Sequence, residues 1–371
     1  VKRLVLLGGG HAQLSVLASL AERPLAACKV RLVTPYRRQI YSGMLPGWVA
    51  GHYPIEACAI ALDALAARAG VVFHEAAAVA LDPSHQQLRC DDGSEVPFDL
   101  LSIDTGPVAA IEDLPGSVEN ALPIRPIEGF VAAWPKLAQR MLDAGRRFEC
   151  VILGAGAAGV ELAFAIHHRA LTAGASHVRL TLVGSDSLPL EGAPDKLRRQ
   201  AAAWLAQRSI AWVGGRKARQ IEPDRLILDN GAALDFDACL IVTGAAAPAW
   251  PRTAGLATDE RGFINVGPTL QSLSQPQILA AGDVAAYAEA RPKSGVFAVR
   301  AGPTLAHNLR ALCEGRALQA WRPQRRALYL ISSGDRHAFA SWGPWAWHGR
   351  WVWHWKDRID RKFVRRYGAT G

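Results

Sequence analysis

The run Gly154-Ala155-Gly156-Ala157-Ala158-Gly159 constrains the chain more than any other feature. It follows a short apolar stretch, Cys150–Leu153, and leads into a helical pattern through Val160, Leu162, Ala163 and Ile166. A strand, a glycine turn and a helix in that order build a site for a phosphate. Backbone N–H groups and the positive end of the helix face the anion, and the absence of side chains lets it approach. The next apolar run, Val178–Val183, completes a βαβ unit. The GxGxxG spacing in this setting predicts a dinucleotide site at Gly154, Gly156 and Gly159.

The same plan occurs at the N-terminus. Lys2–Leu7 precedes Gly8-Gly9-Gly10-His11-Ala12, a helical pattern runs through Leu14, Leu17, Ala18 and Leu20, and Val30–Val33 follows as a strand. Gly8 and Gly10 fit the pattern, but Gln13 stands where the third glycine belongs. That glycine serves close helix–strand packing, so a displaced helix is expected here. Each half then has a predicted hairpin turn, at Asp91-Asp92-Gly93-Ser94 and Asp229-Asn230-Gly231. After each turn comes a buried strand ending in Thr-Gly, at Thr105-Gly106 and Thr243-Gly244. A further apolar strand ends at Ala280-Ala281-Gly282-Asp283.

Ribose recognition usually places an acid at the end of the second strand of each unit. Here those positions hold Thr34-Pro35 and Gly184-Ser185, with Asp186 just beyond. The gap at Gly184 leaves room for a 2′-phosphate, which Arg198, Arg199 or Arg216 could meet. This tilts the expectation toward NADPH while leaving NADH open.

With 371 residues the chain suits two or three domains. The six cysteines are scattered without a CxxC or CxxxxC pair, so neither a zinc site nor a vicinal redox disulfide is expected, and no metal is. No long uncharged apolar stretch predicts a membrane-spanning helix. The short run before Gly8 reads as a buried strand rather than a signal peptide, and an intracellular, cytoplasmic protein is expected.

The net charge of +9 is concentrated at one end. From Trp321 onward there are eleven Lys or Arg against three Asp, and six of the twelve tryptophans lie between Trp342 and Trp355. Trp351, Trp355, Ile359, Phe363 and Tyr367 recur at intervals of four and predict one apolar stripe on a basic helix. That pattern suits an interfacial membrane anchor at the inner face of the membrane. Packing on the rest of the chain or a homodimer interface would use the stripe equally well. Nucleic acid is the weaker reading, because no nucleic-acid fold accompanies the residues.

Taken in order, the two glycine loops, the two Thr-Gly strand ends and the Gly282-Asp283 phrase resemble the pyridine nucleotide-disulfide oxidoreductase superfamily of flavoproteins. More narrowly, Gly8–Ala12, Tyr41–Gly47, Pro292–Arg300 and the Trp-rich tail look like a branch that some bacteria fuse to selenide, water dikinase. The resemblance implies an α/β fold of two Rossmann-like domains. A discontinuous FAD domain (1–118 and 246–320) would carry an inserted NAD(P)H domain (119–245) and a small C-terminal module (321–371). It implies FAD at Gly8, Gly10, His11 and Ala12, with Thr34, Pro46, Thr105, Gly106 and Gly282 around it and Asp283 on the ribityl chain. NADH or NADPH would bind at Gly154, Gly156 and Gly159.

The expected activity is hydride transfer from NAD(P)H through FAD to a small-molecule acceptor such as a quinone. Glu161 would position the nicotinamide, or else cap its own helix. Lys293 would approach the far end of the flavin, or else be a surface lysine. The region comparable to the family's CxxxxC pair has only Cys58, which disfavours disulfide reduction. Sulfide oxidation would need a cysteine pair, for which Cys150 and Cys313 are the candidates. A flavin-binding partner protein with little turnover, and a nucleotide sensor without flavin, are the alternatives of another class.

Overall fold

The computed structural model describes residues 1–26, 28–111, 113–324 and 328–368. Two five-stranded parallel sheets dominate it. The first takes its strands, in spatial order, from Ile278–Ala280, Leu100–Ile103, Lys2–Leu7, Cys28–Thr34 and Val72–Glu75. It therefore joins the start of the chain to a strand nearly 280 residues along. The second sheet orders Leu122–Pro123, Ala238–Ile241, Phe148–Leu153, Val178–Val183 and Ala211–Val213. Two of its central strands, Ala238–Ile241 and Phe148–Leu153, are buried almost throughout, as strands covered on both faces must be. The architecture is thus two Rossmann-like cores, the first discontinuous and the second inserted within it.

The halves repeat each other closely. Each has a three-stranded antiparallel sheet whose hairpins turn at Gly93 and Gly231, both at positive φ as such turns require. The segments just after the two Thr-Gly ends, Val108–Ala109 and Ala245–Ala246, pair antiparallel and tie the cores together. Helix His11–Glu22 packs along helix Gly295–Glu314, where Gly302 leaves room for Ser15.

The C-terminal module is a three-stranded antiparallel sheet (Leu328–Ser332, Ala338–Trp342, Trp345–Gly349) followed by helix Arg350–Tyr367. It sits on the helix of the second glycine loop: Gly334 packs against the backbone at Phe164 so closely that a Cβ would lie 2.3 Å from the Phe164 carbonyl oxygen. The single stripe expected on the final helix is corrected here. Four residues advance an α-helix by about 400°, so each step of the stripe drifts about 40° round the axis. Trp351, Trp355 and Ile359 are exposed, Phe363 is half-buried, and Tyr367 is sealed with its hydroxyl 3.1 Å from Ser15 Oγ. The buried face is Val352, Trp353, Lys356, Asp360, Val364 and Tyr367.

Candidate functional site

Both glycine loops cross from strand to helix at the C-terminal ends of their sheets, where open parallel sheets bind ligands. Gly8 and Gly154 take positive φ of 90° and 113°. Each packs on the strand end beside it, where a Cβ would come within 2.5 Å of the Asp104 or Val242 carbonyl oxygen. In the second loop a Cβ on Gly159 would stand 1.8 Å from the Gly154 oxygen, and Gly156 has open space in front of it. This is a cradle that glycine alone can form.

The first loop differs at two residues. Gln13, wholly buried, donates from Nε2 to Ser102 O and Oγ at 3.0 and 3.1 Å, so a side-chain bond fills the place of the third glycine. Asp104, the residue before Thr105-Gly106, corresponds to Val242 in the second half. Its carboxylate accepts the N–H groups of Ala12 and Gln13 at 2.8 and 3.0 Å and fills the space in front of Gly10. Burial pushes it up to about 7, against the pull of those two N–H groups. The two Thr-Gly phrases differ visibly at this position, and that contrast is the signal that could have singled Asp104 out.

His11 stands at the helix start with Nε2 sealed and without a partner, while Nδ1 lies 3.2 Å from Gln39 Nε2. Burial drops its pKa to about 4, so it is neutral near pH 7. Its ring borders Gly295, Tyr41 and Phe363, and Tyr41 stacks on Phe363 at 4.5 Å. Thr34 is buried, Thr105 is exposed, and Gly106 turns at φ +74. Pro46 lies buried in a short helix, Leu45–Val49, that packs on the helix after Gly159. Gly282 turns at φ +73 against the Asp104 carboxylate, and Asp283 beside it is half-buried with its carboxyl raised by burial, against Arg125 and Lys293. Lys293 donates to Ala285 O at 2.5 Å and lies 3.8 Å over the Phe263 ring, with burial lowering it to about 8. It is therefore no free surface lysine.

Glu161 does not cap its own helix. Its carboxylate accepts the N–H of Ser332, from the C-terminal module, at 2.7 Å. Burial raises it to about 7, moderated by the Lys356 ammonium. Lys356 in turn donates to Gly43 O at 2.5 Å and to Asp360 at 2.7 Å. Glu161, Lys356 and Asp360, with the half-buried Tyr41 bonded to Asp360, thus form one polar cluster joining the second loop's helix, the Tyr41–Gly47 segment and the final helix. Sequence reasoning found Glu161 but missed Lys356 and Asp360. Their i,i+4 spacing on a basic helix was the available signal.

The proposed 2′-phosphate pocket is also redrawn. Gly184 lies beneath Trp212, where a Cβ would meet the indole at 2.6 Å, so packing accounts for the glycine. Arg198 is engaged with Asp186, at 2.6 Å, and with the carbonyls of Leu188 and Pro189, which leaves Arg199 and Arg216 as the exposed cations. The six cysteines are all free and buried. Cys150 and Cys239 lie on neighbouring core strands with their thiols pushed up to about 12 by burial, and Cys313 lies beside Cys28. Burial at Cys150, Cys239 and Cys313 thus disfavours the thiolate that a sulfide-type nucleophile needs. A shallow hollow lined by Arg140, Asp143, Arg146 and Asp237 lies at the opposite end of the second sheet and takes no part in this arrangement.

Two glycine cradles, each at the end of its own parallel sheet, suit two dinucleotides. The chain belongs to the pyridine nucleotide-disulphide oxidoreductase family, whose model matches residues 2–308 and whose members use FAD with NADH or NADPH. It is 27% identical over 304 residues to the demethylphylloquinone reductase of Synechocystis, covering 79% of this chain and 73% of that one. It is 22% identical over 324 residues to the mitochondrial internal alternative NAD(P)H-ubiquinone oxidoreductase A1 of Arabidopsis thaliana, covering 79% of this chain but only 62% of that enzyme's length. In fold it resembles the sulfide:quinone oxidoreductase of Aquifex aeolicus, with a TM-score of 0.83 at 20% identity, over 99% of this chain and 92% of that one.

Proposed function

We propose that this chain passes hydride from NADH or NADPH through FAD to a quinone. The residues fit both nucleotides: glycines whose Cβ atoms would collide at the loops, open space before Gly156, and a sealed His11 Nε2 without a partner. Gly8, Gly10, His11, Ala12, Thr34, Pro46, Thr105, Gly106, Gly282 and Asp283 would hold FAD. Gly154, Gly156 and Gly159 would hold the nicotinamide nucleotide. Bound FAD supplies the redox chemistry, accepting hydride and handing on two electrons.

One observation carries the quinone reading. The final helix turns Lys356 and Asp360 inward to the Gly43 carbonyl and toward Glu161, and turns Trp351, Trp355 and Ile359 outward. The same helix thus borders the reacting region and offers an aromatic face. Arg350, Arg358, Lys362 and Arg365 flank that face, and the neighbouring strands add exposed Trp342, Trp345 and Trp347. No described helix is long and apolar enough to cross a membrane. An aromatic face ringed by cations instead seats on an anionic lipid surface, where quinones dissolve.

Quinone reduction consumes protons as well as electrons. With Oε1 held by Ser332 N–H and its pKa near 7, Glu161 can carry a proton at its other oxygen at neutral pH. Lys293, held by Ala285 O and lying over the Phe263 ring, would approach the far end of the flavin. The test is a steady-state assay of NADH and NADPH oxidation with and without a short-chain ubiquinone. Stimulation by the quinone is expected; donor oxidation that no quinone accelerates would contradict the assignment.

A further inference from the structure

We infer that Asp104 belongs to the FAD site and occupies it as the neutral acid, so that taking up FAD also takes up a proton. The inference rests on the reading of the first loop as the FAD site.

The internal repeat provides the control. In the second half the residue at this position is Val242, and Gly156, the counterpart of Gly10, meets nothing within 4 Å. In the first half the Asp104 carboxylate holds the N–H groups of Ala12 and Gln13, the donors that the start of a helix offers to a phosphate. The same side chain dictates two of the site's glycines. A Cβ on Gly10 would stand 2.3 Å from the Asp104 carboxyl, and one on Gly282 would stand 2.5 Å from its Oδ1. Asp104 therefore links the glycine loop, the Thr-Gly strand end and the Gly-Asp turn, and it is 2% exposed.

A diphosphate carries two negative charges. An ionised carboxylate sealed among the same donors would repel it with little solvent to screen the interaction. The neutral acid removes that repulsion and still accepts both N–H bonds. Burial already holds Asp104 near 7 without the cofactor, and an adjacent anion raises it further. The groups facing it do not reverse the sign. His11 is neutral in this range, Asp283 adds a like charge, Tyr287 stays protonated, and Arg125 and Lys293 act through Asp283. Lys293, lowered to about 8, titrates in the same window and must be separated experimentally.

The 371-residue chain, stripped of flavin, would be titrated with FAD calorimetrically between about pH 6 and 9. The dissociation constant is expected to rise by up to about tenfold per pH unit above pH 7, the slope of one linked proton. In Asp104→Asn, which keeps an acceptor for both N–H groups, that slope should flatten. An unchanged slope in Asp104→Asn, or a flat profile in the natural chain, overturns the inference. Should Asp104→Asn fail to fold, the protons taken up per FAD at pH 8 can be read from two buffers of different ionisation enthalpy. Uptake that persists in Lys293→Met supports Asp104, and uptake that this substitution abolishes overturns it. Failure to bind FAD at any pH would instead remove the site reading on which the inference rests.

Discussion

Ser332 N–H donates to the Glu161 carboxylate at 2.7 Å across 171 residues of sequence, tying the C-terminal module to the helix behind the second glycine loop. A carboxylate buried there favours its protonated form, because burial lifts it from the usual 4.5 to about 7. The folded state then binds more protons than the unfolded chain between those values. Stability falls as pH rises from about 4.5 through 7 and is level above it. Glu161→Gln, which can still accept the Ser332 bond, should unfold at higher temperature than the natural chain at pH 8, with the gap closing toward pH 5. The same substitution should slow acceptor reduction more than binding of NADH. Thermal unfolding at the two pH values checks the first expectation and stopped-flow kinetics the second.

Lys356 and Asp360 form an ion pair whose side chains are 10% and 8% exposed. Removing one partner strands the other charge away from water. Lys356→Met should therefore destabilise the chain by about 3–5 kcal/mol in urea unfolding, while the paired change Lys356→Met with Asp360→Leu recovers most of the loss. Equal destabilisation by the single and double changes would show that the pair does not act as a unit.

The two faces of the final helix should separate in a lipid assay. Trp351 and Trp355 are 55% and 37% exposed, whereas Trp353 is 8% exposed. Replacing Trp351 and Trp355 with serine should abolish sedimentation with anionic liposomes and leave the unfolding midpoint nearly unchanged. Trp353→Ala should cost about 3–5 kcal/mol of stability by opening a cavity. Liposome binding that survives loss of the two exposed tryptophans would remove the lipid-facing role.

Gly159→Ala discriminates between the loops. The new methyl group would stand 1.8 Å from the Gly154 oxygen, so the helix start must move off the second loop. The dissociation constant for NADH should rise at least about tenfold, or ~1.4 kcal/mol, with the amount of bound FAD unchanged. Loss of flavin with the nucleotide would mean that the two loops do not serve separate cofactors.

Much of this arrangement was legible in the residues because it repeats. Two strand–glycine–helix units, two hairpin turns and two Thr-Gly ends announce two Rossmann-like cores, and Ile278–Ala280 joins the first sheet as its apolar run suggests. What stayed hidden depends on contacts between distant segments. Periodicity at four residues cannot tell a stripe from a drift, so the exposed Trp351 and the sealed Tyr367 looked alike. Gly184 looked like space for a phosphate because its neighbour Trp212 arrives from another strand. Asp104 sits inside a phrase whose recognisable part is its Thr-Gly ending, although Val242 in the sister phrase marks it as a departure.

The most direct test of the central claim is an anaerobic titration of the FAD-loaded protein with NADH and then NADPH, following the flavin absorption band. The account predicts that at least one donor bleaches the band and that adding a short-chain ubiquinone restores it. A flavin band that neither donor bleaches would contradict transfer of hydride between the two glycine-loop sites.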